Sequence, residues 1–329
     1  MSVDIASLPL VLAGPILRRV TNVEVNVWIA LRDARDVTLQ LFDALTSTPA
    51  GTATASSQRV GDHLHVALVT LSAVSLTWGA LYSYDIYFMP TSASNSPMEP
   101  AGGSSLFSVG VLTRFADPAD AHAAAAAALT YTQAIPLPSF ALSPTDVRRL
   151  RVVHGSCRDP DYDGDDGLLA LDVMIADTVS QPMGRPHLLA LTGEQIYADE
   201  HSEQLLAACG EIGEALLGWQ EVLPQVDVLG SQLPPDEREG VADIFELDER
   251  PRCLRLSLAE FCASSLLWWS PVLWPNIAQW NQKTFDFVAD LGRVRRALRT
   301  WALQGRSDAP PSAPKVRLTS SLFLITPGG

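Results

Sequence analysis

The chain reads as a mixed β and α/β protein, an antiparallel β-sandwich followed by an α/β part. Three observations carry that reading. Apolar residues alternate with a period of two through several short segments before residue 90, a proline-bearing break follows near residue 140, and a strand, a helix and a strand succeed one another between residues 151 and 191. At 329 residues and 47% hydrophobic content, the chain is long enough for two cores.

Residues 20–45 hold two predicted strands. In VEVNVWIAL, Val23, Val25, Val27, Ile29 and Leu31 share one face while Glu24, Asn26 and Trp28 share the other, and VTLQLF repeats the alternation. Leu64–Val69 and Tyr82–Phe88 continue it. The Gly/Ser/Thr-rich intervals at 46–62 and 91–105 read as turns. Short strands without intervening helices predict a β-sandwich within residues 1–115.

Asp117-Pro118 opens a stretch with six consecutive alanines, Ala123 to Ala128, and IPLPSFALSP closes it. Residues 116–148 therefore read as a helical linker. Beyond it, Arg151–Gly155 is a short apolar strand, Leu168, Leu171, Ile175 and Val179 share a helical face within 167–180, and His187–Leu191 is a second strand. Such a βαβ unit makes the two strands parallel, and ligands of such sheets gather at the carboxyl ends of the strands. Helices are expected over 202–223, 256–275 and 277–304, the second packing Leu266, Leu267, Trp268 and Trp269 into a core. From residue 304 the prolines and the lack of any period predict an irregular tail.

Charge and cysteine usage narrow the function. A net charge of −14 and a pI near 4.8 exclude duplex nucleic acid as a natural partner, because most of the surface would repel the polyanion. Four irregularly spaced cysteines, Cys157, Cys209, Cys253 and Cys262, predict reduced thiols. The apolar run LPLVLAG is short, follows Asp4 and precedes Arg18-Arg19, so it fits neither an export signal nor a membrane span, and a cytoplasmic protein without membrane association is expected.

Candidate ligands cluster at the predicted strand ends. Gly155-Ser156-Cys157-Arg158 follows the first strand, and Thr192-Gly193-Glu194-Gln195-Ile196-Tyr197 follows the second. A thiol, carboxylates and a phenol together suit a hard or borderline metal ion. Taken alone, Cys157 would read as a small buried hydrophobe and Tyr197 as a packing residue. Asp159, Asp161, Asp163 and Gly164 match the first half of an EF-hand loop, but Ala170 stands where calcium needs a bidentate glutamate. Residues 157–203 carry eleven acidic side chains against Arg158 and Arg185, a surface that repels phosphate esters unless cations are bound.

The segments GPILRRVTNVEVNVWIAL, GSCR, RPHLLALTGEQIYADE and AEFCASSLLWWSPVLWP resemble, in order and spacing, those of the PhoD-like alkaline phosphatase/phosphodiesterase family over roughly residues 8–300. The resemblance implies an N-terminal immunoglobulin-like β-sandwich and a calcineurin-like metallophosphoesterase core, here residues 149–303. It implies iron and calcium as metals, Cys157 and Tyr197 as thiolate and phenolate ligands, and Glu194 in the place of a bridging aspartate. Arg158 is a candidate contact to the substrate phosphate, with a solvated loop charge as the plain alternative. The reaction implied is hydrolysis of a small phosphate ester by metal-activated hydroxide.

Two departures from the family bear on activity. Glu194 moves its carboxylate by one methylene, about 1.5 Å, where metal–oxygen distances hold to about 0.2 Å. The family's downstream Asp-Asp-His motif has no counterpart, and none of the six histidines lies beyond His201. The expectation is a partial core in a C-terminally truncated or frameshifted chain, with impaired hydrolysis. Its rival is a noncatalytic remnant, at most a β-sandwich binding module, with apolar surface exposed beside the βαβ unit. The sequence specifies no oligomeric state.

Overall fold

The computed structural model describes residues 3–91, 103–112, 129–157, 167–198, 203–244, 246, 254–270, 272–273 and 322–325. The alanine run 123–128, Arg158, the aspartate-rich 159–164, the expected helix 277–304 and most of the expected tail lie outside them.

Among the described residues, nine strands precede the βαβ unit: β1 (Val11–Val20), β2 (Glu24–Leu31), β3 (Arg35–Asp43), β4 (Pro49–Ser56), β5 (Gln58–Gly61), β6 (Leu64–Ser72), β7 (Leu81–Pro90), β8 (Ser104–Ser105) and β9 (Ser139–Ala141). They form two antiparallel sheets. One has the order β1-β2-β6-β5; the other runs β4-β3-β7-β8, with β9 also pairing β7. The alternating apolar residues of both sheets enter one cluster: Val25, Val27, Ile29 and Leu31 of β2 with Val37, Leu39 and Leu41 of β3 and Ile86 and Phe88 of β7. All nine are fully buried. Burial of each such side chain contributes about 1.5–3 kcal/mol.

The interval 46–62, read from sequence as turns, contains β4 and β5 instead. PAGTATAS alternates, but between small residues, so its apolar contrast is weak, and it lies at a sheet edge where partial exposure suffices. The Thr38 and Thr54 hydroxyls, 2.8 Å apart, pair across β3 and β4. β9 lies within the stretch read as linker. Arg185 ties it to the α/β part, donating to the Ser139 carbonyl at 2.6 Å and the Ser139 hydroxyl at 2.8 Å.

The α/β part begins with β10 (Val152–Gly155), α1 (Gly167–Asp177) and β11 (Leu188–Leu191). β10 and β11 are parallel, in the register Val152↔Leu188 to Gly155↔Leu191. β10 also pairs antiparallel with a strand from the expected tail, Leu322–Ile325. The order α2 (Glu203–Leu217), a two-stranded hairpin (Val222–Leu223 with Val228–Leu229), α3 (Pro235–Ile244) and α4 (Leu258–Trp269) follows β11. Pro235 opens α3, where a missing N–H costs nothing. Among the described residues, no helix is long and apolar enough to cross a membrane.

α2 and α4 cover the outer face of the first sheet. Leu12, Ala13, Ala30 and Leu64 of the sheet share a cluster with Ala208, Ile212, Leu216 and Leu217 of α2 and Ala263, Leu266 and Leu267 of α4. β2 therefore packs on both faces near its end, Trp28 and Ala30 against the helices, beyond what its alternation alone predicts. The β5–β6 turn also caps α2: the Asp62 and His63 amides donate to the Leu217 and Leu216 carbonyls at 2.8 Å each, groups with no partner inside the helix. The two parts of the chain thus share a core and backbone hydrogen bonds.

α4 starts at a capping box. The Ser257 hydroxyl accepts from the Glu260 amide at 3.2 Å, and the Glu260 carboxylate accepts from the Ser257 amide at 3.0 Å. The other Glu260 oxygen meets Arg238 of α3 at 2.9 Å. Arg238 further donates to the carbonyls of Leu233, Leu254 and Gly230, so each of its three nitrogens is hydrogen-bonded.

Candidate functional site

The parallel pair β10 and β11 ends in step, and the Thr192 amide extends the ladder by donating to the Gly155 carbonyl at 3.0 Å. The two following loops therefore leave side by side. Gly193 permits their contact: a Cβ built on it would stand 2.5 Å from both the amide nitrogen and Sγ of Cys157. Gln195 then pins the loops together, its Nε2 lying 2.9 Å from the Ser156 carbonyl and 3.1 and 3.2 Å from the Gly193 and Glu194 carbonyls. Beside them, His154 Nε2 and the Thr192 hydroxyl are 2.8 Å apart.

Cys157 is the focus of this arrangement. The Tyr197 hydroxyl, the Glu194 backbone N–H and the Ser156 hydroxyl all hydrogen-bond to its sulfur and hold its pKa below the usual thiol value, the Tyr197 contact being the largest cause. Burial and the negative charge of Glu194 oppose the shift. Ser156 Oγ lies 3.8 Å from Sγ. The thiolate, which is both the nucleophilic and the metal-binding form, is thereby favoured.

Of the four residues singled out from sequence, Cys157 and Tyr197 are in contact, Glu194 presents its amide and its charge to the same sulfur, and Arg158 lies outside the described residues. The donor set fits a metal ion in part. Cys157 and Tyr197 bring a sulfur and a phenol oxygen within hydrogen-bond reach of each other, two donors that one borderline ion could share. Among the described residues, no group of three His, Cys, Asp or Glu side chains comes together in metal-binding geometry.

Three contributors escaped the sequence reading. Ser156 and Gln195 lie inside the two motifs, where the sequence assigned them no role. Arg255 gives no local signal, since its guanidinium reaches the Tyr197 carbonyl from 58 residues away.

The chain matches no family model, no curated protein and no solved structure.

Proposed function

We propose that the chain is a cytoplasmic PhoD-like metal-dependent phosphoesterase, acting on small phosphate esters with iron and calcium, its hydrolysis impaired because the family's downstream Asp-Asp-His motif has no counterpart. In this reading the two antiparallel sheets are an immunoglobulin-like sandwich, and the β10–α1–β11 unit belongs to a calcineurin-like core. The observation that supports it is the meeting of the Cys157 thiol, the Tyr197 phenol and the Glu194 amide at the carboxyl ends of two parallel strands. Cys157 and Tyr197 would hold the first ion, with Glu194 in the bridging place. A bound ion supplies the Lewis acid that activates the attacking water and offsets charge on the phosphate. The chain's own residues prepare the donors: Ser156 and the Glu194 amide favour the thiolate, and Gln195 fixes the spacing of the two loops.

Turnover of p-nitrophenyl phosphate and of bis-p-nitrophenyl phosphate, with iron and calcium added, tests the reading. Metal-dependent hydrolysis abolished by Cys157→Ala and by Tyr197→Phe is expected. Hydrolysis at the uncatalysed rate under all metal conditions would overturn it.

A second reading, a noncatalytic chain that associates through its α/β part, is favoured by one observation. Leu188 and Leu189 of β11 are 52% and 40% exposed, on opposite faces of the strand. It predicts concentration-dependent assembly in sedimentation velocity together with absence of turnover.

A further inference from the structure

The loop that carries Tyr197 is held from a distant segment as well as by Gln195. On one side it continues from β11; on the other it meets Arg255, which is 3% exposed. The Arg255 amide donates to the Ala198 carbonyl at 2.8 Å, and its guanidinium Nη1 donates to the Tyr197 carbonyl. The same guanidinium hydrogen-bonds the Cys209 sulfur of α2, which in turn lies 3.6 Å from the Ser264 hydroxyl of α4. Its own segment is equally fixed. The Leu254 carbonyl accepts from Arg238 at 2.7 Å, and the Leu256 and Ser257 amides donate to Glu260 at 2.7 and 3.0 Å.

We infer that Arg255 is a positioning residue of the candidate site: by clamping the Tyr197 and Ala198 carbonyls to the α2–α4 pair, it holds the Tyr197 hydroxyl against Cys157. This rests on the Tyr197–Cys157 pairing and deepens the proposed site. Physically, a planar guanidinium with several fixed donors can bridge two elements at once, which a point charge on a flexible stem does less well. The consequence reaches further than the loop. α2 and α4 also cover the first β-sheet, so the packing of the N-terminal part and the geometry of the Cys157 site are joined through one buried side chain.

The test uses metal-free full-length protein and no phosphate ester, so an absence of phosphatase activity leaves its result intact. The rate of Cys157 carbamidomethylation by iodoacetamide is followed at pH 7 by peptide mass analysis in the parent, Tyr197→Phe, Arg255→Met, Arg255→Lys and the Tyr197→Phe/Arg255→Met double variant. Loss of one hydrogen bond to the thiolate corresponds to a rate lower by about two- to tenfold. Tyr197→Phe and Arg255→Met are both expected to show it, Arg255→Lys to recover part, and the double variant to be no slower than Tyr197→Phe alone. A folded Arg255→Met protein alkylated at the parental rate overturns the inference, as does an effect of the same size in the Tyr197→Phe background. If Arg255→Met does not fold, hydrogen exchange of Arg255→Lys decides. Faster exchange confined to residues 192–198 supports the clamp, and parental exchange there overturns it.

Discussion

Gly193 and Cys157 are packed so closely that a single added methyl group has no room, standing 2.5 Å from both the sulfur and the amide nitrogen of the cysteine. The obstruction is backbone as well as side chain, so rotamer change cannot relieve it. Gly193→Ala is expected to destabilise the chain by about 1–3 kcal/mol, the usual cost of overpacking. It should also slow Cys157 alkylation, because separating the loops withdraws the Glu194 amide from the sulfur. Urea unfolding and the alkylation rate check both effects, and a parental value for both would contradict the contact.

A second close approach sets the helix pair. A Cβ on Gly213 of α2 would lie 2.0 Å from the Ala259 carbonyl oxygen of α4, whereas one on Gly240 of α3 would meet nothing within 4 Å. The same substitution should therefore have opposite signs at the two sites. Gly213→Ala forces the helices apart and costs about 1–3 kcal/mol or more; Gly240→Ala gains about 0.4–1 kcal/mol by restricting the unfolded chain. Thermal unfolding of the two variants side by side measures the difference.

His187 is held in one neutral tautomer. Its Nδ1 accepts from the Arg151 amide at 3.0 Å, while Nε2 donates to the Pro182 carbonyl at 3.0 Å. Burial lowers its pKa from the ordinary histidine value, the Arg151 and Arg185 charges lower it further, and the Pro182 contact opposes them. Burial likewise lowers His65. A native pKa below the unfolded one means that the unfolded chain takes up the proton first. The stabilisation is complete above about pH 6.5 and is lost as pH falls through that value toward the lowered one. Urea unfolding between pH 7 and pH 5 should show falling stability, with a shallower slope in His187→Gln. An unchanged slope in the variant would remove His187 from the account.

The Arg238–Glu260 pair is buried on both sides, at 3% and 1% side-chain exposure. Glu260 also accepts from the Leu256 and Ser257 amides. Glu260→Ala leaves an uncompensated guanidinium and takes the acceptor from the Leu256 and Ser257 amides, and a loss of about 3–5 kcal/mol is expected. Denaturant unfolding measures it, and a loss under about 1 kcal/mol, typical of exposed pairs, would show that water reaches Arg238.

Legibility in the sequence followed signal strength. β2, β3, β6 and β7 announce themselves because their strongly apolar residues alternate with polar or weakly apolar ones. β4 is unreadable because Ala and Thr alternate without contrast. The hairpin partner of a strand two or three residues long, such as Val222–Leu223, carries too few residues for any period. At the site, Cys157, Glu194 and Tyr197 stand at the ends of strands whose order is local, so their neighbourhood follows from a βαβ connection.

By itself the sequence determined which residues alternate, where the first helix between two parallel strands lies, and which thiol, acid and phenol flank the strand ends; all of these are carried by residues near one another along the chain. Only the tertiary structure decided that α2 and α4 close over the first sheet, that Gly193 lets Cys157 approach within contact, and that Arg255 braces Tyr197 from 58 residues away. Each of those depends on complementarity between surfaces distant in sequence, where a missing methyl group or one long guanidinium settles the fit and leaves no periodic trace.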